Sequence, residues 1–262
     1  MPIHPTAIIG INKEDIDPSN EIGAYVVIED GVQLGKNNRI MAHAFLGKGT
    51  VIGDNNIIHV GAVLGDVPQD IKFDVNLKTQ LIIGNNNTFR EHFTAHRSTN
   101  VDHPTQIGDN GFFMVSSHVA HDCVVGNNVI MANSSAIAGH VHVHDRAFIS
   151  GGVMIHQFVQ VGSLSIIAGN ARINMDVPPF VIAGERNQVW GINIVGLRRS
   201  GLSPEIIKEI RELYRLYFHT SRKDVVERIK AKDFKSKEIQ VFLDFIENSK
   251  RGICVARSSS IV

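Results

Sequence analysis

HVAHDCVVGNNVIMANSSAIAGHVHVHDRAFISGGVMIHQFVQVG (118–162) carries an apolar residue at every sixth position: Val119, Val125, Met131, Ile137, Val143, Ile149, Ile155 and Val161. The series extends both ways, from Ile107 and Phe113 to Ile167 and Ile173, without a miss. An earlier block keeps the same step through Ile16, Ile22, Ile28, Leu34, Ile40, Leu46, Ile52, Ile58 and Leu64, and a short one through Ile83, Phe89 and Ala95. Ile3 and Ile9 precede these, before a one-residue insertion. A period of six matches neither the 3.6 of a helix nor the 2 of a lone strand. It fits a parallel β-helix with one flat side per hexapeptide, the apolar residue pointing to the axis. Small residues follow the apolar ones (Gly108, Ala120, Gly126, Ala132, Ala138, Ser150), and stretches such as GDNN (53–56) and GNNN (84–87) supply left-handed corner positions. Three sides make an 18-residue coil, so the chain is expected to be mainly β, a triangular prism of about eight or nine coils stacked at about 4.8 Å.

Composition narrows the function. Among 262 residues, 26 Lys+Arg balance 26 Asp+Glu, which argues against nucleic acid as a partner, since phosphate binding needs a concentrated basic excess. The two cysteines, Cys123 and Cys254, make neither a disulfide scaffold nor a CxxC pair, so a reducing, cytoplasmic setting is expected. No apolar run is long enough to span a membrane, and MPIHPTAIIG (1–10) lacks a signal-peptide layout.

Two stretches interrupt the repeat, 65–82 and 98–106, and loops of this kind in a solenoid usually carry function or contacts. The repeat is expected to end at DVPP (176–179), where prolines stop strand pairing. Ser203, Pro204 and Glu205 announce a helix whose apolar face is Ile206, Ile210, Leu213, Tyr214 and Tyr217. A second helix is expected over 222–229 and a third through Ile239, Phe242, Leu243 and Ile246, ending at Gly252. The tail ARSSSIV (256–262) reads as disordered. The division expected is 1–186 for the β-helix and 187–262 for a linker and a C-terminal α-helical cap.

Histidines crowd the best-formed coils. Residues 18 apart lie side by side, so His121 stacks on Gly139 and then Gln157, Asp122 on His140, and Ala138 beside His156. His118, His121, Asp122, Gly139, His140, His156 and Gln157 therefore share one strip. Such a strip could ligate zinc, which needs three imidazoles converging at about 2 Å, or serve acid–base chemistry. His118 and His121, three residues apart, do not have the His-x4-His spacing expected of γ-class carbonic anhydrases, zinc enzymes on the same prism. A single histidine base needs only a substrate hydroxyl and a donor for the developing oxyanion, and His121 with the Gly139 N–H supplies both without a metal.

At SSHVAHDCVVGNN (116–128), AGHVHVHDRAFISGGVMIHQFVQVG (138–162) and DVPPFVIAG (176–184) the chain resembles the UDP-N-acetylglucosamine acyltransferases of lipid A biosynthesis. HPTAI (4–8), PQDIK (68–72), GINIVGLRRSGLS (191–203) and SKRGI (249–253) agree, so the likeness covers nearly the whole chain. The resemblance implies a left-handed prism, a homotrimer with sites between subunits, and no cofactor beyond the phosphopantetheine thioester of the donor. The reaction implied is transfer of an R-3-hydroxyacyl group from acyl carrier protein to the 3-position of a UDP-sugar. It assigns His121 as general base, Asp122 as its orienting partner, and the Gly139 N–H as oxyanion donor. His118, His140, His156 and Gln157 would line the sugar and acyl groove. Asp70 and Lys72 would reach the sugar and diphosphate from the neighbouring subunit, Asn193 and Arg199 would meet the nucleotide end, and Gly169 would gauge acyl length.

The chain departs from the family pattern at Val195, where an acidic residue is usual, at Ser200, within a basic run, and in GERNQVWG (184–191). Transfer to a 3-amino analogue of the sugar, a γ-carbonic-anhydrase-like zinc enzyme and a non-catalytic scaffold are the competing readings. Cys123 and Met131 fall on packing positions of the repeat, and Trp190 is equally compatible with packing and with ligand contact.

Overall fold

A computed structural model describes residues 3–221 and 223–257. Each hexapeptide forms a short strand and a corner: His118–Val119, Val124–Val125 and Ile130–Met131 are three successive sides. His118 lies beside Ala136 and Val119 beside Ile137, one 18-residue coil further on. Among the described residues the prism has sheets of nine, seven and eleven strands, parallel except for one hairpin. The apolar series points inward; Val119, Ile137, Met131, Val143, Ile149, Val161 and Ile167 are fully buried. In the early coils a buried column of Asn20, Asn38, Asn56 and Asn87 lines one corner, each side-chain oxygen accepting the amide of the next coil. That column pairs its polar groups internally, which burial requires.

Corners follow a rule tied to the core. The third residue after the inward one is left-handed nearly throughout: Asn110, Ser116, Asp122, Asn128, Ser134, His140, Arg146, Phe158, Leu164 and Asn170 all have φ between 55° and 66°. Asn and Gly were the expected occupants, yet His, Arg, Phe and Leu also adopt this conformation. Each such residue costs about 1–2 kcal/mol, offset by the ladder bonds on both sides of the corner. The small residues after the core positions have a different reason: a Cβ on Gly23 or Gly10 would come within 2.9 Å of the next coil's backbone.

The interruptions are narrower than expected. Val63–Asp66 and Leu81–Ile83 are strands, which leaves 67–80 as the first excursion, and the second is 97–104 between Thr94–His96 and Thr105–Ile107. Pairing does not stop at DVPP. Val177 bridges to Val161, and Val181–Gly184 still stacks on Ile166–Ile167 before turning back as Gln188–Ile192. Pro178 and Pro179 lie between these pairings, where the ladder needs no proline N–H.

Among the described residues four helices follow: α1 (Ile194–Arg199), α2 (Pro204–His219), α3 (Val225–Lys230) and α4 (Lys237–Glu247). The first was not foreseen. Asn193 caps it, its side chain accepting the Gly196 amide. Ser203 caps α2 as expected. The second expected helix begins at Val225 rather than 222, which lies outside the described residues. The third stops at Glu247, so that Asp176 bridges Ile253 and Val255–Ala256 joins the eleven-stranded sheet beside Gln188–Val189. Ala256 is therefore paired, and 258–262 of the expected disordered tail lie outside the described residues. Leu197, Ile207, Ile210, Leu213, Tyr217, Ile229, Ile239, Phe242 and Phe245 form a second core that Phe180 joins from the prism end.

His142 and His144 stack at 4.1 Å, with His144 edge-on to Phe245 of α4. Burial, then the neighbouring His144, pushes His142 down to about 4, and burial with His96 and His121 does the same to His118. Below the ordinary value of 6.5 the unfolded chain takes up protons at these sites while the fold does not. Stability should therefore be full above pH 6.5 and fall as pH drops toward 4. Thermal melts at pH 7.5 and 5 should show a lower Tm at pH 5, with a smaller difference in His142→Gln. Equal Tm values for the unsubstituted protein would contradict this.

Candidate active site

At the corner after His118–Val119 the core-plus-three rule puts Asp122 at φ 59°. This left-handed turn lets the adjacent side chains meet, which they could not do in an extended strand. His121 Nδ1 donates to Asp122 Oδ2 at 2.6 Å, leaving Nε2 as the acceptor. The His121 side chain is 16% exposed and that of Asp122 only 7%. Burial favours the neutral acid, but hydrogen bonds from His121 and Thr99 outweigh it and hold the Asp122 carboxyl below its usual range. The carboxylate is thus ionised at neutral pH and fixes the imidazole tautomer.

Other imidazoles surround the dyad. His140 lies edge-on to His121, stacks on Phe158, and has Nε2 3.6 Å from Asp122 Oδ2. His118 Nδ1 bonds the Thr94 hydroxyl at 2.7 Å and meets His96 edge-on. Burial first, then the two neighbouring imidazoles, keeps His118 neutral.

Gly139 stands one coil from His121. A Cβ there would lie 2.6 Å from Cε1 and 2.9 Å from Nε2 of His121, so only glycine admits the ring. At the corners leading to the eleven-stranded face, a stacked side chain accepts the equivalent N–H: Asn127 takes that of Asp109, and Asp145 that of Asn127. The edge that carries His121, Gly139 and Gln157 has no such acceptors among the described residues. The Gly139 N–H has no acceptor among the described residues. A free amide beside a free imidazole nitrogen is the arrangement that base-assisted attack on a carbonyl requires.

Both open on a groove of about 720 Å³ lined by His118, His121, Gly139, His156 and Gln157. Its middle is apolar, with Ile137, Met154 and Ile155, and it ends at Arg172 and Arg186, which form no ion pair among the described residues. His140, within 3.6 Å of Asp122, does not line the groove. Five expected residues lie elsewhere in the chain. Asp70 and Lys72 are in the first excursion, where Asp70 Oδ1 accepts the Lys72 amide, and it is Gln69 that reaches the groove. Gly169 is at the opposite corner of the nine-stranded face and is exposed. Asn193 is buried as the α1 cap, its amide also bonding Leu164 O, and Arg199 ends that helix.

Sequence reading missed Thr99, Thr105, His96, Gln69, Met154, Arg172, Arg186 and Arg251, whose guanidinium lies 3.4 Å from His156 Nδ1. Met154 and Arg172 were accessible, since they continue the 18-residue column His118–Ala136. Cys123 is a packing residue: its thiol donates to Ala138 O and burial pushes it up to about 12. Trp190 packs its ring over Gly184 and under Arg257.

His121, Asp122 and His140 present ligand atoms within 4.8 Å of one another. Zinc holds such donors at about 2.0–2.2 Å, keeping them roughly 3.3 Å apart in a tetrahedral shell. His121 Nδ1 and Asp122 Oδ2 instead share a proton at 2.6 Å, and the same oxygen accepts the Thr99 hydroxyl at 2.8 Å. The cluster is wired as a dyad, not as a metal cage.

The chain thus combines a hexapeptide prism, a helical cap and an imidazole–carboxylate pair opening on an edge groove. Residues 176–254 match the family model for domain 2 of UDP-N-acetylglucosamine O-acyltransferase. The chain is 47% identical to the acyl-[acyl-carrier-protein]–UDP-N-acetylglucosamine O-acyltransferase of Sulfurihydrogenibium sp., over 96% of this chain and 93% of that one. It superposes on the UDP-N-acetylglucosamine acyltransferase of Francisella novicida with a TM-score of 0.92 at 35% identity, covering 98% and 95% of the two chains. The Campylobacter jejuni enzyme gives 0.86 at 32% identity, covering 97% and 100%. The protein belongs to the UDP-N-acetylglucosamine O-acyltransferase family, and its prism is the left-handed parallel β-helix of that family.

Proposed function

We propose that the protein transfers an R-3-hydroxyacyl group from acyl carrier protein to the 3-hydroxyl of UDP-N-acetylglucosamine, the first step of lipid A biosynthesis. One observation carries the chemistry: the free Nε2 of His121 and the Gly139 amide, which has no acceptor among the described residues, lie side by side on one groove. His121 Nε2 takes the proton of the sugar hydroxyl as its oxygen attacks the thioester carbonyl. The Gly139 N–H donates to the tetrahedral oxyanion. Collapse breaks the C–S bond, and the imidazolium, stabilised by Asp122, returns its proton to the leaving thiolate of the phosphopantetheine arm. No further cofactor enters this scheme.

The site is proposed to be shared within a homotrimer. On the eleven-stranded face the outward residues run apolar through Phe112, Ile130, Phe148 and Ile166, with Glu21, Arg39 and Thr88 in the earlier coils. On the nine-stranded face Val27, Phe45, Val63 and Met154 stand beside Thr94, His118 and Arg172. The apolar run on the eleven-stranded face suits contact with further copies of the chain. Ile71 projects fully exposed from the first excursion, consistent with Asp70 and Lys72 reaching a neighbour's groove. In that assembly Asn193 and Arg199 serve the nucleotide end and Gly169 the acyl end. Residues 1–186 are taken as the catalytic prism and 187–262 as linker and cap. Cytoplasmic residence accords with two free buried cysteines, and among the described residues no helix is long and apolar enough to cross a membrane.

The test is acyl transfer by purified protein from R-3-hydroxyacyl carrier proteins of graded length, with UDP-N-acetylglucosamine and its 3-amino analogue as parallel acceptors. Ester formation on the hydroxyl sugar is expected. Amide formation alone would change the acceptor, and no transfer by folded trimer would overturn the reading.

A further inference from the structure

The coil beneath the dyad exceeds the regular 18-residue step by six residues. Thr94 pairs with His118, 24 residues on, whereas His118 pairs with Ala136, 18 on. One hexapeptide's worth of extra chain leaves the prism at 97–104, directly below Asp122. Its ends are fastened, because the amides of Ser98 and Thr105 both donate to Gln80 O and the Ser98 hydroxyl bonds Asn100 O. Between these anchors Thr99 turns two donors toward one carboxylate. Its amide bonds Asp122 Oδ1 at 2.9 Å and its hydroxyl bonds Asp122 Oδ2 at 2.8 Å. Thr105 Oγ1 accepts the Asp122 amide at 2.8 Å, so the backbone of the same residue is held as well.

We infer that Thr99 is a positioning residue for the transfer reaction, and that the 97–104 excursion exists to deliver it. This rests on the reading of His121 as base. A carboxylate with one partner can rotate about its Cβ–Cγ bond. With a donor on each oxygen from a single residue, Asp122 cannot rotate without losing both. Oδ2 thereby keeps a lone pair on His121 Nδ1, and Nε2 keeps its aim at the groove. The two Thr99 bonds also favour the ionised carboxylate against the burial that opposes it.

Thr99→Val removes the hydroxyl and keeps size and amide, whereas Thr99→Ser keeps both donors. The expected result for Thr99→Val is a kcat lower by about 10- to 100-fold, the range for groups that orient a catalytic ligand from outside. KM for donor and acceptor should be unchanged, Thr99→Ser should stay within about threefold, and Tm should match the unsubstituted protein. The decisive arm is a double-mutant cycle with Asp122→Ala, where Thr99→Val should cost nothing further. Losses that multiply would overturn the role of Thr99, as would a Thr99→Val enzyme with full kcat. His121→Ala in the same assay separates the two levels: full activity there would remove the base and Thr99 together, whereas its loss leaves the cycle to judge Thr99 alone.

Discussion

His121→Ala is expected to lower acyl transfer by about 10²–10⁴-fold, the contribution of a positioned general base, while leaving the prism intact. The fold does not depend on the ring. His121 sits at a corner, and the ladder bond it makes to the next coil, His140 N–H to His121 O at 3.0 Å, is a backbone bond that alanine retains. The ring makes one strong hydrogen bond, to Asp122, and that carboxylate keeps both Thr99 donors after truncation. Tm should therefore move little, and activity and stability separate cleanly. The neighbouring imidazoles are placed differently: His118 bonds a threonine hydroxyl and His156 faces Gln157 O and Arg251, so neither has a carboxylate at Nδ1, and His140 does not line the groove. Initial rates at saturating donor and acceptor, with a melt on the same sample, decide the matter; turnover within tenfold of the unsubstituted enzyme would disprove the role of His121.

Gly139→Ala should lose at least about 100-fold, although it adds one methyl group and removes no functional group. The new Cβ would stand 2.6 Å from Cε1, 2.9 Å from Nε2 and 3.2 Å from Nδ1 of His121, square against the ring. The ring cannot simply slide, because its Nδ1 is tied to Asp122 at 2.6 Å. Either the imidazole swings out of the groove or the Gly139 corner lifts, and both separate Nε2 from the amide that receives the oxyanion. Misplacement by about 1 Å is enough for a 10²-fold loss. Strain of this kind costs about 1–3 kcal/mol of stability at most, since the ring has solvent to move into. The expected signature is a folded protein with a much reduced kcat. A rate within a few-fold of normal would show that the glycine serves the turn alone.

Most of the architecture was legible because period six is a physical constraint. An inward residue that misses its turn would bury a polar group or expose Ile or Phe, so the series from Ile107 to Ile173 names the core directly. The 18-residue step that follows places Gly139 on His121 and His140 on Asp122 from the sequence alone. The corner rule explains why the dyad forms at all: Asp122 is left-handed because it stands three residues after Val119, like Asn128 after Val125. Legibility stopped where the step was broken. Thr99 lies in an insertion, so counting by 18 cannot assign its neighbour. Helix α1 is only six residues long and depends on the Asn193 cap. Pro178 and Pro179 were read as terminators because proline cannot donate, yet they stand between two ladder pairings that both survive. Residues expected from an adjoining subunit, Asp70 and Lys72, have no partner coil to count against.

Direct transfer, with no acyl group resting on the protein, is the central claim. Cys123, the cysteine nearest the dyad, is fully buried with its thiol pushed up to about 12, and it bonds Ala138 O instead of the groove. A single-turnover reaction with enzyme in excess of R-3-hydroxyacyl carrier protein, quenched on the millisecond scale and read by intact-protein and product mass, examines this. One acylated UDP-sugar per thioester consumed, with unmodified enzyme at every time point, is the predicted result. A transient enzyme heavier by one acyl group, or thioester lost without acylated sugar, would contradict it.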